Sequence, residues 1–281
     1  MSESRTVFVV LDPTCMEQAA LEWGEEVVRI FSATQNIAAS LHVYCCVNPE
    51  SVAVSPDADG ETAEANTVAR IEAWVERLVA QTRASGMTVT TEVEWRDDWR
   101  HAIPDAAKRN QSAVVIKNMT QHSRFVRLVR ETSDWTLIRE CECPMLLVKT
   151  GRPVSTQNLL VAVKHNPDDE AYRKANDDIL AAAKQMASDL GGRLHAVTCY
   201  DHGSQPDRQR FADSCGLDRS QVSAGAGVPE KLIAEVAEER DTNLVIIARV
   251  AKPDNPGAVG KTARKLIDEL NTEVLVLPVA S

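Results

Sequence analysis

The chain has 281 residues and a formal net charge of −10, and neither half is basic. Its 44% hydrophobic and 26% charged residues are typical of a folded globular protein and exclude a disordered or low-complexity chain. The acidic balance argues against general nucleic-acid binding, and no stretch approaches the roughly 18 consecutive apolar residues that a membrane span needs.

In the first half, short apolar runs alternate with amphipathic segments. The run from Thr6 to Leu11 is β-branched and closed by Asp12-Pro13, as in a strand buried on both faces of a parallel sheet. Residues 61–84 carry apolar side chains at three- and four-residue spacing, which predicts a long helix. The predicted strands of this half are 6–11, 41–47, 88–95, 113–116 and 145–148.

The second half repeats this order. We predict strands over 159–163, 194–198, 244–247 and 274–277 and a short one near Val222, with helices that include 179–190, 229–239 and 263–270. Residues 201–220 are expected to lack the long helix of the first half. Strands that alternate with helices, without hairpin turns, indicate a parallel sheet.

The two halves also match in sequence. The strand around His42 is repeated around His195, and the first strand, which ends at Asp12, is repeated by the strand that ends at Lys164, at nearly the same offset. Such a repeat predicts a duplicated fold. The predicted class is therefore α/β, with two tandem Rossmann-like domains, 1–151 and 152–281, each a five-stranded parallel sheet flanked by helices.

Several segments carry a resemblance to a known family. They are Val10-Leu11-Asp12-Pro13, the stretch 117–122, the stretch 132–139 with the residues up to Pro144, and Gly227-Val228-Pro229-Glu230 leading to the strand at 244–248. Together they resemble the universal stress protein family, specifically its tandem-domain E type, over essentially the whole chain.

The resemblance implies cytoplasmic stress-response roles, usually without catalysis. It also implies that the two domains associate through their fifth strands as an internal pseudo-dimer, so that the whole chain is a monomer or a homodimer. Members that bind ATP carry Gly-x-x-Gly, a nine-residue spacer and Gly-Ser/Thr after the fourth strand, and an Asp at the end of the first strand.

The first domain keeps only part of that pattern. Asp12 is present, but the stretch after Ile116 has no glycine. Close approach of the backbone to a phosphate favours residues without a Cβ atom, which argues against ATP binding here. The ligand-binding candidates of this domain are Asp12, Lys117, Asn118, Arg124 and Arg127.

The second domain keeps a different part. Lys164 stands in the Asp position, alanines stand in the first two glycine positions, and Gly260-Lys261-Thr262 matches the final element with a spacer one residue short. These residues predict a weak anion site at a helix N-terminus, with ATP as a possible ligand and no certain cofactor. Its candidates are Lys164, Ala248, Arg249, Gly257, Gly260, Lys261 and Thr262.

Two alternative functions remain open. Residues 255–262 differ from a Walker A loop at one position, where Asn255 replaces the leading glycine. This near match favours an ATP-binding switch or slow ATPase, although a P-loop normally follows the first strand of its domain. The arginines at 124, 127 and 130 share a predicted helix face. They either contact solvent or bind an acidic headgroup, as in a lipid or acyl ligand-binding module.

The remaining motifs favour structural roles. His42 and His195 lie in apolar strands and are predicted to be core residues. Cys141-x-Cys143 has neither a partner pair for a metal nor the two-residue gap of a redox motif, so we predict packing. Seven cysteines, an odd number, and an N-terminus without a leader-like stretch predict a reduced, cytoplasmic protein.

The sequence thus predicts a non-enzymatic cytoplasmic stress-response protein. It shows no catalytic set and no metal site. A small-molecule ligand is expected, no nucleic acid is, and the protein partner is unknown.

Overall fold

The computed structural model describes residues 4–34, 37–48, 60–119, 133–149, 154–165, 170–200, 205–250, 265–267 and 269–279. The chain forms two compact units, Met1–Val154 and Ser155–Ser281, called domain 1 and domain 2 below. Each contains a parallel sheet with helices between successive strands. The predicted α/β class and tandem arrangement are confirmed.

Domain 1 has strand order β3-β2-β1-β4-β5, and its strand pairs are parallel. Its elements are β1 (Arg5–Val10), α1 (Ala19–Thr34), β2 (Ala39–Val47), α2 (Gly60–Ala84), β3 (Val89–Trp95), α3 (Trp99–Arg109), β4 (Ser112–Asn118), α4 (Ser133–Glu140) and β5 (Met145–Val148).

Domain 2 has strand order β10-β9-β6-β7-β8, again with parallel pairs. Its elements are β6 (Asn158–Ala162), α5 (Glu170–Leu190), β7 (Arg193–Tyr200), α6 (Arg208–Cys215), β8 (Val222–Ala226), α7 (Pro229–Glu239), β9 (Leu244–Val250) and β10 (Glu273–Val279). Residues 265–267 and 269 are also helical.

The core of domain 1 is built on the central strand β1, whose residues Val7 to Val10 are at most 3% exposed. Helix α1 covers this strand closely at Gly24. A Cβ atom at Gly24 would lie 2.4 Å from Val9 Cγ2 and 2.9 Å from Leu41 Cδ1. Glycine at this position therefore lets the helix backbone approach the sheet.

The order of the strands reverses once in each sheet. In domain 1 the chain runs outward from β1 through β2 to β3, and then returns to β4 on the other side of β1. In domain 2 it does the same from β6, with β9 as the returning strand. The carboxyl ends of β1 and β4, and those of β6 and β9, therefore flank the switch points at which open α/β sheets bind ligands.

Strands β4 and β9 are among those that extend beyond their predicted ends. Strand β4 continues to Asn118, which pairs with Val148 of β5, and β9 continues to Val250, which pairs with Val279 of β10. Pairing with the fifth strand of each sheet supplies hydrogen-bond partners that the local sequence does not reveal. The first residues predicted for a phosphate loop thus belong to strands.

Three local features of the helices complete the fold. The region after β7 contains a helix, α6, of only eight residues, against the 25 residues of α2. Asp98 precedes α3 but makes no side-chain cap to the helix, and its carboxylate contacts Nδ1 of His101 at 2.8 Å. Pro104 lies inside α3, beyond its first turn.

Among the described helices, none combines the length and apolar character required to cross a bilayer.

Candidate functional site

The described candidate residues lie at the two switch points. Val10, at the end of β1, is opposite Lys117 of β4, so Asp12, Lys117 and Asn118 lie at one edge of domain 1. Lys164 follows β6, and Ala248 and Arg249 lie in the neighbouring strand β9. The candidates at 124, 127, 257, 260, 261 and 262 lie outside the described residues.

The carboxylate of Asp12 is held by the turn that follows it. Its Oδ1 accepts hydrogen bonds from the amide of Thr14 at 2.9 Å and the hydroxyl of Thr14 at 2.6 Å, and its Oδ2 accepts one from Sγ of Cys15 at 3.4 Å. Burial by itself raises the pKa of Asp12, but these hydrogen bonds and the charge of Lys117 outweigh burial and bring the pKa below its ordinary value. Asp12 is therefore an ionised, well-bonded group.

Lys117 places a buried cation beside this carboxylate. Lys117 is 8% exposed, and its main chain pairs with Leu147 of β5. Its Nζ donates a hydrogen bond to the carbonyl of Asn118 at 3.4 Å. A buried cation is costly unless an opposite charge or hydrogen-bond acceptors compensate it. Lys117 is therefore near enough to Asp12 to help lower the pKa of that carboxylate.

The side chain of Asn118, the last residue of β4, lies at the N-terminus of helix α1. It is 2% exposed; its Oδ1 accepts from the amide of Ala20 at 2.6 Å and its Nδ2 donates to the carbonyl of Glu17 at 2.9 Å. A helix N-terminus has unpaired amides that commonly bind anions. In domain 1, one of these amides is taken by the protein's own side chain.

The backbone of Asp12 is fixed by Gln18, a residue that the sequence analysis did not single out. The amide of Asp12 donates to Oε1 of Gln18 at 3.2 Å, and Nε2 of Gln18 donates to the carbonyl of Asp12 at 2.7 Å and to that of Cys15 at 2.8 Å. We call this arrangement, in which one carboxamide bonds both backbone groups of a strand-end residue, a carboxamide clasp.

Domain 2 has a second carboxamide clasp, at Lys164. The amide of Lys164 donates to Oδ1 of Asn176 at 3.1 Å, and Nδ2 of Asn176 donates to the carbonyl of Lys164 at 2.7 Å. Asn176 lies within α5, whereas Gln18 precedes α1. The same bonding is therefore reached from two different positions in the chain.

The side chain of Lys164 is exposed at the domain 2 switch point. Its Nζ lies 4.3 Å from the centre of the Tyr172 ring, close enough for a cation–π interaction. Val161 of β6 is opposite Ile246 of β9, and β9 continues through Arg249 to Val250, so Lys164 and Arg249 lie at the same edge of the sheet. Domain 2 thus has two basic residues where domain 1 has an acid and a base.

Ala248 and Arg249 pair with Leu277 and Pro278 of β10. Both therefore have the extended backbone of a strand, and Ala248 keeps the Cβ atom that a phosphate-binding glycine lacks. This edge can offer charge to an anion, through Lys164 and Arg249, more readily than bare main chain.

The two histidines lie in the core, as predicted, and are bonded differently. His42 is 7% exposed; its Nδ1 contacts Oγ1 of Thr90 at 2.8 Å and its Nε2 contacts Oε2 of Glu92 at 3.1 Å. His195 is 8% exposed, and its Nε2 contacts Oγ of Ser223 at 2.9 Å. Within the described ranges, no cluster of three or more His, Cys, Asp or Glu side chains could hold a metal ion.

A sequence signal existed for part of this site. Asp-x-Thr after a strand is typical of a turn in which the carboxylate accepts from the residue two positions on, and Thr14 fits it. Gln18, Tyr172 and Asn176 gave no comparable signal, because each acts on a partner chosen by the packing of a helix against the sheet.

The universal stress protein family model matches residues 3–149, more than half of the chain. The chain belongs to the universal stress protein family. Relatives align across both halves. The universal stress protein E homolog of Haemophilus influenzae is 24% identical over 305 residues, covering 96% of this chain and 96% of that protein. The Escherichia coli universal stress protein E is 22% identical over 306 residues, covering 99% and 95%.

Solved structures support the same fold. A protein of unknown function from Pseudomonas aeruginosa PAO1 matches with a TM-score of 0.72 at 22% identity, covering 98% of this chain and 92% of that one. A universal stress protein from Archaeoglobus fulgidus matches with a TM-score of 0.72 at 16% identity, covering 98% and 97%. At these identities the likeness concerns the fold alone.

Proposed function

We propose that this universal stress protein is a non-enzymatic stress-response protein that takes a small anionic ligand in domain 2, while domain 1 serves as a scaffold without a nucleotide. The observation that carries the proposal is the difference in charge between the two switch points. Two basic residues, Lys164 and Arg249, lie at the edge of one, whereas an acid and a base, Asp12 and Lys117, interact at the other.

Domain 1 offers little to a phosphate. Asn118 takes the amide of Ala20 at the start of α1, and Asp12 presents a negative charge at the same edge. An incoming anion would have to displace a buried hydrogen bond and approach a carboxylate, and both cost free energy.

Domain 2 has an exposed positive charge at the corresponding position. Lys164 is exposed, and the clasp by Asn176 fixes its backbone, so a bound anion would not have to order that segment of main chain. The predicted residues Gly257, Gly260, Lys261 and Thr262 would complete the site. Exposed cations without a tight backbone cradle give modest affinity, so we expect a Kd of roughly 0.1–1 mM for a nucleotide or pyrophosphate.

We place this function in the cytoplasm. All seven cysteines are described, and none of them is in a disulfide, as expected in a reducing compartment.

The test is equilibrium binding of ATP and pyrophosphate, measured by calorimetry on the full chain. Lys164→Gln should weaken binding at least fivefold, because it removes a full positive charge at the site. The matched control is Asp12→Asn, which changes the charge at the corresponding position of domain 1 and should leave the affinity unchanged. Binding that is lost in Asp12→Asn and kept in Lys164→Gln would place the ligand in domain 1 and contradict the proposal.

Two further measurements address the alternatives. ATP turnover by the purified protein, abolished by Lys261→Ala, would favour the slow ATPase over the non-enzymatic function. Mass spectrometry of ligand extracted from the native protein would detect a lipid or acyl ligand, which would favour the lipid-binding module. We expect no turnover and no bound lipid.

A further inference from the structure

The turn between α4 and β5, residues Cys141 to Pro144, holds two thiols in contact. The sulfur atoms of Cys141 and Cys143 are 3.4 Å apart. Cys141 is 2% exposed, whereas Cys143 is partly exposed, so small solutes can reach the pair from one side. We call this segment the dithiol turn.

The rest of domain 1 fixes both ends of the dithiol turn. At its start, the amide of Cys141 donates to the carbonyl of Leu137 in α4 at 2.9 Å, and at its end the amide of Val115 in β4 donates to the carbonyl of Pro144 at 2.9 Å. Leu137 and its neighbour Ile138 are fully buried. The fold therefore holds the main chain at both ends of the turn in place.

This separation is close to that of a bond. A disulfide has an S–S length of about 2.0 Å, so the sulfur atoms need to approach by little more than an ångström. Rotation about the side-chain bond of the partly exposed Cys143 can supply such a movement without shifting the ends of the turn. The sequence predicts packing for this pair, and the distance between the two sulfur atoms indicates redox chemistry as well.

Four other cysteines are poor nucleophiles at neutral pH. Burial raises the pKa of Cys46 to about 11 and raises that of Cys45 still further above its usual range. Burial also raises the pKa of Cys15 and of Cys215. Since the thiolate is the reactive form of cysteine, these four thiols exchange slowly at neutral pH.

We propose that Cys141 and Cys143 form a site of reversible oxidation, in which a low-molecular-weight disulfide converts the two thiols into an intramolecular disulfide. The thiolate of Cys143 attacks the small disulfide, forms a mixed disulfide and expels one thiolate, which takes up a proton. Cys141 then loses its proton and attacks the sulfur of Cys143, expelling the second small thiol. Two cysteine thiols are oxidised, and one small disulfide is reduced to two thiols.

The test incubates the reduced full-length protein with glutathione disulfide and glutathione at increasing ratios, quenches exchange with acid, then denatures the protein, alkylates the remaining thiols with a maleimide and maps the peptides by mass spectrometry. We expect the peptide with both cysteines to escape alkylation and to be lighter by two hydrogens. The other cysteines should still be alkylated at the same ratio, and reduction with dithiothreitol should restore both thiols.

Variants distinguish the steps. Cys141→Ser should stop at the mixed disulfide on Cys143, because the resolving thiol is gone, and Cys143→Ser should leave Cys141 alkylated after denaturation. Cys199→Ser, which removes a partly exposed thiol of domain 2, is the matched control and should behave as the wild type does. The wild-type result does not depend on how well any variant folds.

The proposal would be overturned if both cysteines of the wild-type protein stayed reduced, and were therefore alkylated, at every ratio of glutathione disulfide to glutathione. It would also be overturned by wild-type protein that accumulates only glutathione on Cys143, since the fold would then fail to bring Cys141 to the mixed disulfide.

Discussion

At the end of β1 the backbone of Asp12 is bonded on both sides by the carboxamide of Gln18, and at the end of β6 the backbone of Lys164 is bonded in the same way by Asn176. The charges at these two positions are opposite. The fold needs the main chain held where a strand enters the switch point, but it does not need a particular side chain there. The two copies could therefore keep the geometry while the chemistry of their edges diverged.

The two core histidines differ in the same manner. His42 contacts Glu92 of β3, which is also bonded by Arg109 of α3. His195 contacts Ser223 of β8 instead, and its charged neighbours are Arg240 and Arg208. One histidine is thus placed beside a carboxylate and the other beside cations, although both occupy the equivalent strand of their domains.

The largest expected effect is a loss of stability when the side chain of Asn118, at the switch point of domain 1, is removed. Asn118→Ala leaves the buried amide of Ala20 and the partly buried carbonyl of Glu17 without their partner, which should lower the free energy of unfolding by about 3 kcal/mol. Urea denaturation followed by circular dichroism measures this loss. Asn118→Asp is the control: it keeps the acceptor for Ala20 and adds a favourable charge at the helix N-terminus, so its loss should be about 1 kcal/mol. An alanine variant as stable as the wild type would show that Asn118 does not hold α1.

The next effect sharpens the comparison of the histidines through pH. Burial, with smaller contributions from Arg240 and Arg208, lowers the pKa of His195 from 6.5 to about 4. As the pH falls, His195 is therefore protonated in the unfolded chain before it is protonated in the folded protein. The stability associated with neutral His195 is complete above pH 6.5 and is lost as the pH falls from 6.5 to about 4, by at most about 3 kcal/mol.

Urea denaturation at a series of pH values measures that loss. His195→Gln should lose less stability than the wild type over the same interval. For His42, burial also lowers the pKa, but Glu92 opposes the effect, so His42→Gln should retain most of the wild-type dependence. The histidine comparison fails if the two variants exchange these behaviours.

The smallest effect compares the two carboxamide clasps. Gln18→Ala removes three partly buried hydrogen bonds and should cost about 2 kcal/mol, whereas Asn176→Ala removes two exposed ones and should cost about 1 kcal/mol. Lys164→Ala keeps the clasp and should cost less than about 0.5 kcal/mol. Equal stability of Asn176→Ala and Lys164→Ala would show that the clasp of domain 2 contributes nothing.

The sequence by itself determined the α/β class, the duplication and the approximate place of each described strand. These depend on local periodicity and on the likeness of His42 and Asp12 to His195 and Lys164, which can be seen in the residues alone. It also singled out the residues at both switch points, because the ends of parallel strands share an edge. The strand ends were less accurate, since β4 and β9 end where their fifth-strand partners allow.

Only the tertiary structure decided what those residues do. Asn118 forms hydrogen bonds with Glu17 and Ala20, which are about 100 positions earlier in the chain. Asn176 forms hydrogen bonds with Lys164 from within a helix. The sulfur atoms of Cys141 and Cys143 meet because α4 and β4 fix the ends of their turn. Each of these contacts joins groups whose distance is set by the packing of a helix or a strand on its neighbours, and no pattern along the chain records that distance.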